Sequence, residues 1–268
     1  MERTAVRVTL FFVALVLALG RAHAEPRPAA LADNIATLET QAKALWLRRD
    51  EPASARAALA AFERLAALRP DNAAVQIYLA RACWWYAVLR PQAPRNERRA
   101  LLLRGVGAAR RAEDISPRDP GGYYWEAANL SEDEWVDGGF VSPADLLRLR
   151  SLIQTVDSIN PWYHHGSIRY IEAEIILNVP TPERWLTGRS LRAAVTSTLR
   201  ALGFENRCFY GHWILARALA ASGRRGAAIA QLDYILQASP EAFLPDAPEN
   251  RAVKRWATAL REKLTEIR

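Results

Sequence analysis

Apolar residues recur at intervals of three and four along almost the whole chain. Leu146, Leu149, Ile153 and Val156 form one such series, and Ile168, Ile171, Ile175 and Val179 a second. Val253, Trp256, Leu260 and Leu264 form a third near the C-terminus. Each spacing lays a single apolar stripe along a helix. The strict alternation of a half-buried strand is missing. Start signals agree with the stripes. Ser142-Pro143-Ala144-Asp145 offers an N-cap, a proline at the first helical position and an acid three residues after the cap. Asp246-Ala247-Pro248-Glu249 has a similar form.

The stops recur. Helices are predicted to end at Leu68-Arg69-Pro70, Ile115-Ser116-Pro117, Ile159-Asn160-Pro161 and Ala238-Ser239-Pro240, with Leu202-Gly203 as a glycine version. The intervals between successive stops are 47, 44, 42 and 37 residues. A period of that size marks a helical repeat array, in which each helix pair buries its apolar face only by stacking on a neighbour. The last repeat fits the tetratricopeptide (TPR) pattern best. Ala216 and Ala228 stand where helices approach closely, Leu215, Leu219, Leu232 and Ile235 at the large apolar positions, and Gly223 in the turn. Ala58, Phe62, Leu65 and Pro70 repeat the second-helix pattern at the other end. The expected fold is all-α: a TPR-like right-handed solenoid of about five helix pairs, closed by a C-terminal capping helix with charge on its outer face.

The first residues differ in kind. Arg3 and Arg7 precede the uncharged apolar run Leu10 to Leu19, and Ala22-His23-Ala24 supplies a small-x-small cleavage site. This reads as a secretory signal peptide over 1–24, cleaved after Ala24. Residues 25–268 are then one helical repeat domain, soluble and periplasmic. No cysteine lies at the cleavage site, so the chain is not expected to be a lipoprotein. The formal net charge of +7 falls to +5 once Arg3, Arg7, Arg21 and Glu2 leave with the signal. That charge forms no basic stripe, which argues against nucleic acid. Cys83 and Cys208 lie in non-neighbouring repeats and are expected to stay unpaired.

Chemistry-bearing motifs are scarce. There is no phosphate-cradling glycine loop, no CxxC, no HExxH and no nucleophile elbow, so neither an enzyme nor a cofactor is expected. His164, His165 and His212 do not make a metal set; a polar pair at a helix start explains the first two better. The charge runs Arg110-Arg111, Glu113-Asp114 and Glu132-Asp133-Glu134 fit solvated faces. The aromatic residues are the anomaly. They bunch near first helices as Trp84-Trp85-Tyr86, Tyr123-Tyr124-Trp125, Trp162-Tyr163 and Phe209-Tyr210 with Trp213. Consecutive side chains on a helix diverge by about 100°, so such clusters cannot all face one core. Core packing between bulky repeats and an aromatic wall on the concave face both remain open. The candidate wall is Trp85, Tyr124, Trp125, Tyr163, Arg169 and Trp213. Arg169 follows Gly166 by three and so shares its face; pairing with Glu172 is the alternative.

The central stretch resembles a known family. Ala108 to Asn129 reads AARRAEDISPRDPGGYYWEAAN, and the chain continues through Gly138-Gly139 to INPWYHHGSIRYIEAEIILNVP. The arginine/alanine helix ending in a proline turn, the aromatic start Tyr123 to Ala128, and the later Pro161, Tyr163, Gly166, Arg169 and Pro180 are similar to the T component of TRAP-type (tripartite ATP-independent periplasmic) transporters. The likeness is best over about residues 100 to 245. The chain departs from it in lacking a lipobox cysteine, and in a short Pro180 to Gly188 connection holding Trp185 where many members have a glycine-rich loop. The resemblance implies a TPR-like periplasmic protein working beside a solute-binding component. The expected partners are a periplasmic solute-binding protein or another exported protein, with an apolar or amphipathic ligand; a homo-oligomer is left open. A general envelope scaffold without a small ligand is the alternative.

Overall fold

The computed structural model describes residues 28–136, 142–178, 190–242 and 246–266. Residues 1–24, read above as a signal peptide, Gly138-Gly139 and the Pro180 to Gly188 connection lie outside the described residues. The chain divides into two units, Met1–Leu38 and Glu39–Arg268. Of the first, only the beginning of helix α1 is described.

Eleven α-helices and no strand occur among the described residues. Five pairs follow one another: α1 (Pro28–Trp46) with α2 (Pro52–Leu68), α3 (Ala73–Val88) with α4 (Arg95–Ile115), α5 (Pro120–Val136) with α6 (Pro143–Ile159), α7 (Ile168–Asn178) with α8 (Leu191–Leu202), and α9 (Phe209–Ala221) with α10 (Arg225–Gln237). The unpaired α11 (Ala247–Glu266) closes the series. Second helices end at Leu68, Ile115, Ile159, Leu202 and Gln237, where proline or glycine follows within a few residues. Asn72, Ser142 and Ser190 each accept a hydrogen bond from the backbone N–H three residues on, so local capping fixes three of the starts. Gly223 takes a left-handed turn at φ 74° between α9 and α10. Ala58, Ala80, Ala108, Ala127, Ala216 and Ala228 are wholly buried, and their small side chains let the helices approach closely. No helix among the described residues is long and apolar enough to cross a membrane.

One joint depends on the absence of a side chain. A Cβ at Gly105 of α4 would overlap the Asn129 amide of α5. That amide cannot give way cheaply, because its Nδ2 donates to the Ala80 carbonyl (3.1 Å) and the Trp125 carbonyl (2.8 Å), joining α3 and α5. Gly107, two residues on in the same helix, has nothing within 4 Å of the equivalent position. Gly105→Ala is therefore expected to destabilise by about 1–3 kcal/mol through overpacking. Gly107→Ala is expected to stabilise by about 0.5–1 kcal/mol through helix propensity. Urea unfolding of the two variants checks the opposite signs.

The ends of Glu39–Arg268 meet. Arg251 of α11 grips Asp50, in the turn after α1, with two hydrogen bonds of 2.8 and 2.9 Å. Arg255 donates to the Asp50 carbonyl at 3.3 Å. Glu249 joins Arg49 at 3.1 Å and Arg81 of α3 at 3.0 Å, and the Trp256 ring lies 6.3 Å from Trp85. The sequence pattern placed the charges of α11 on an outer, capping face. Several of them instead close the array on its first repeat. The apolar side of α11, with Val253 and Ala257 buried, packs on Phe209, Leu232 and Ile235 as a capping helix should.

Candidate functional site

The closed array brings α3, α5, α7, α9 and the start of α11 around one small cavity. Trp84 and Trp85 come from α3, Tyr124 and Trp125 from α5, Tyr170 and Glu174 from α7, Tyr210 from α9, and Glu249 and Val253 from α11. Trp85 is held by its indole N–H, which donates to the Arg49 carbonyl at 2.7 Å. Tyr124 and Trp125 meet edge to face at 4.8 Å, Trp84 lies 5.9 Å from Trp125, and Tyr210 lies 6.5 Å from Trp84. The cavity measures about 40 Å³. That is room for about three water molecules or one compact organic group.

A strained turn forms one side. His164 (φ 48°), His165 (φ 61°) and Gly166 (φ 69°) are three successive residues in the left-handed region. For a non-glycine residue this costs about 1–2 kcal/mol, so the surroundings must hold the two histidines there. The His164 ring stacks on Tyr124 at 5.2 Å and stands edge-on to Trp125 at 5.5 Å. Its Nδ1 lies 2.9 Å from Ser167 Oγ, which donates to the Tyr124 hydroxyl at 3.0 Å. His165 Nε2 lies 3.2 Å from Asp246 at the start of α11. Phe204 fills the space a Gly166 side chain would need.

Charge gathers at both ends. At one end, Arg81 lies with its guanidinium carbon 5.0 Å from the Trp46 ring and 5.4 Å from Trp125. Arg49 sits 4.7 Å from Trp46 and 5.8 Å from Trp85. Burial works to raise the pKa of the Glu249 carboxyl between them, but the two guanidiniums outweigh it and hold it at about 2. Burial, and then the charge on Arg81, push His164 down to about 4, so its imidazole is neutral at pH 7. The bond to Asp246 raises His165. At the other end, Glu174 accepts from the Tyr210 hydroxyl at 2.9 Å and from Arg217 at 3.0 Å. Burial raises the Glu174 carboxyl against these partners. No three His, Cys, Asp or Glu side chains among the described residues are placed to hold a metal ion.

Of the six residues singled out from sequence, Trp85, Tyr124 and Trp125 line the cavity. Tyr163 packs behind, 5.5 Å from Tyr124. Trp213 makes tilted ring contacts with Tyr210 (5.7 Å) and Trp256 (5.3 Å), with Arg217 over its face at 4.6 Å. Arg169 is not brought to the wall. It pairs with Asp157 of α6 at 3.1 Å rather than with Glu172, which bonds Ser197. It does not share a helix face with Gly166, because α7 begins only at Ile168, after the left-handed turn. The cations beside the cavity are Arg49 and Arg81. Arg81 was legible in part, since it precedes Trp85 by four on α3 and so shares its face.

The charge runs expected on solvated faces act instead as joints between helices. Glu126, wholly buried, accepts from Arg110 at 2.9 Å and Arg148 at 3.0 Å. Arg148 also reaches Glu113 at 2.9 Å. Burial, and then the neighbouring Glu126, raise Glu113 to about 8. Asp133 pairs with Arg99 at 3.0 Å and Glu132 with Arg98 at 2.9 Å, tying α5 to α4.

Cys83 and Cys208 are free thiols. Burial raises each to about 12, so neither carries thiolate at neutral pH. Alkylation of the native chain is expected to be slow at both. After denaturation without reductant, mass spectrometry should find both alkylated; an intact cross-linked peptide pair would contradict this.

No protein-family model matches the chain, and no curated protein matches it. Among solved structures it is similar to a thermophilic TPR protein of Thermus thermophilus, with a TM-score of 0.53 and 19% identity. The match covers 85% of this chain and 98% of that one. The fold is a TPR-like helical solenoid.

Proposed function

We propose that the chain is an exported, non-catalytic binding protein of the T-component type, holding a partner protein and a small apolar or amphipathic ligand at the inner face of its array. The observation that carries this reading is the convergence of aromatic side chains from α3, α5 and α9 on one cavity with charge at both ends. A cavity of that make-up suits a ligand with an apolar body and a polar head. The likeness of residues 100 to 245 to TRAP T components supports a solute-binding protein as the partner. The apolar run and Ala22-His23-Ala24 support export, so protein from the periplasmic fraction is expected to begin at Glu25.

Trp84 is the wall residue to test, because it lines the cavity yet keeps some contact with solvent. Where a solute-binding protein is encoded beside this chain, Trp84→Leu is expected to weaken its binding by about tenfold, since aromatic anchors dominate such contacts. Circular dichroism should be unchanged, and calorimetric titration reads the affinity. A full-strength titration by the variant would count against the inner face. Absence of neighbouring genes for a solute-binding protein and permease subunits would favour the general envelope scaffold, which the TPR-like fold also supports.

A further inference from the structure

Two arginines share one carboxylate oxygen at the seam where the array closes. Arg49 Nη2 and Arg81 Nη2 both donate to Glu249 Oε1, at 3.1 and 3.0 Å. A guanidinium is a planar fork that can grip a carboxylate with two parallel hydrogen bonds, and Arg81 uses one arm of its fork on Glu249. The Arg81 Nε is buried without a hydrogen-bond partner. An orphaned donor of this kind is costly and calls for an explanation. Trp46 and Trp125 both lie within cation–π range of the Arg81 guanidinium, so the fork is held in place before anything binds. Glu249, which the arginines grip, and Trp125 both belong to the cavity wall.

We propose that Arg49 and Arg81 form a carboxylate-binding site, and that Glu249 occupies it in the unliganded chain as a built-in stand-in for the acid head of a compact ligand with an apolar body. This rests on the reading of the inner face as a ligand site. The exchange replaces one carboxylate by another, so the Coulombic cost of emptying the site is largely restored by the newcomer. An incoming carboxylate can engage the Arg81 Nε, which Glu249 leaves unused, while its apolar body displaces water from the aromatic cavity. Glu249 retains 16% side-chain exposure, so it can swing to solvent. The other charged groups near the arginines leave the site free for one anion: Asp246 is engaged by His165, and His164 is uncharged at pH 7. Release of Glu249 would also loosen the seam, which Asp50 with Arg251 and Arg255 would still hold.

The probe is propionate, whose two-carbon body suits the small cavity, with propionamide as its neutral isostere and sodium chloride at matched ionic strength as the control. Binding to the full wild-type chain is followed by tryptophan fluorescence. Propionate is expected to bind about tenfold more tightly than propionamide, the discrimination of one charge-assisted fork. In Glu249→Ala the built-in carboxylate is gone, so propionate should bind more tightly still. It should raise the melting temperature of that variant where propionamide and chloride do not. Equal binding of propionate and propionamide to the wild type would overturn the arginine site while leaving the apolar cavity standing. Binding of neither would overturn both. The wild-type comparison decides the matter even if Glu249→Ala fails to fold.

Discussion

Replacing Glu249 with alanine is expected to destabilise the chain by about 3–5 kcal/mol, because it strands buried positive charge. Arg49 is 1% exposed and Arg81 19% exposed, so neither guanidinium can recover full hydration when the carboxylate is gone. The orphaned Arg81 Nε makes that end still poorer in acceptors. Glu126→Ala is the control. Glu126 is wholly buried, but its partners Arg110 and Arg148 are 56% and 36% exposed and can turn to water. Arg148 also keeps Glu113. The expected loss there is about 1–2 kcal/mol, the size of a charge-assisted hydrogen bond rather than of an abandoned ion. Urea unfolding at neutral pH measures both. Equal losses would mean that the seam between α11 and the first repeat does not hold charge in the way the geometry requires.

The repeat architecture was legible because its signals are local. A proline two residues after Leu68, Ile115 and Ile159 ends a helix whatever lies around it, and Ser142 caps one from within its own first turn. The closure of the array had no such signal. Arg49 and Glu249 are 200 residues apart, and their meeting follows from small rotations accumulated over five pairs. No single helix encodes that sum. Closure also explains why the aromatic residues surround one small cavity: Trp85 meets Trp256 across the seam, and Trp84 meets Tyr210 across the ring.

The misplacement of Arg169 has a different cause. Counting three residues from Gly166 assumes one continuous helix, and the backbone reverses hand at His164, His165 and Gly166 before α7 begins. Glycine in that run is the residue whose type hints most strongly at a left-handed turn. Histidine enters the region more readily than most non-glycine residues but still at a cost, and what holds it there comes from α5 and from Asp246, far away in sequence. The interhelical joints of Glu113, Glu126 and Asp133 were hidden likewise. Charge runs on a helix look solvated until a neighbouring helix supplies arginines.

The same turn sets an expected response to acid. The His164 imidazole titrates near 6.5 in an unfolded chain and at about 4 in the folded one. The unfolded state therefore binds the extra proton first, and stability falls as the pH drops from 6.5 towards 4. The shift corresponds to at most about 3 kcal/mol, and to about 2 kcal/mol once the ring's partial contact with water is allowed for. The groups facing it agree with that direction. Burial among Tyr124 and Trp125 of α5 and the charge of Arg81 on α3 oppose protonation, while Glu249 and Asp246 at the start of α11 soften that opposition. His165 has the opposite sign. Its folded pKa is raised by Asp246, so its contribution is complete below 6.5 and is lost as the pH rises through the folded value. A second fall belongs to Glu249, between the ordinary glutamate range and about 2. His164→Asn isolates the first fall, because asparagine accepts the left-handed backbone and does not titrate. Urea unfolding from pH 4 to 8 should show the variant losing less stability than the wild type between 6.5 and 4. Parallel curves would mean that the His164 imidazole takes up its proton in the folded chain as readily as in the unfolded one.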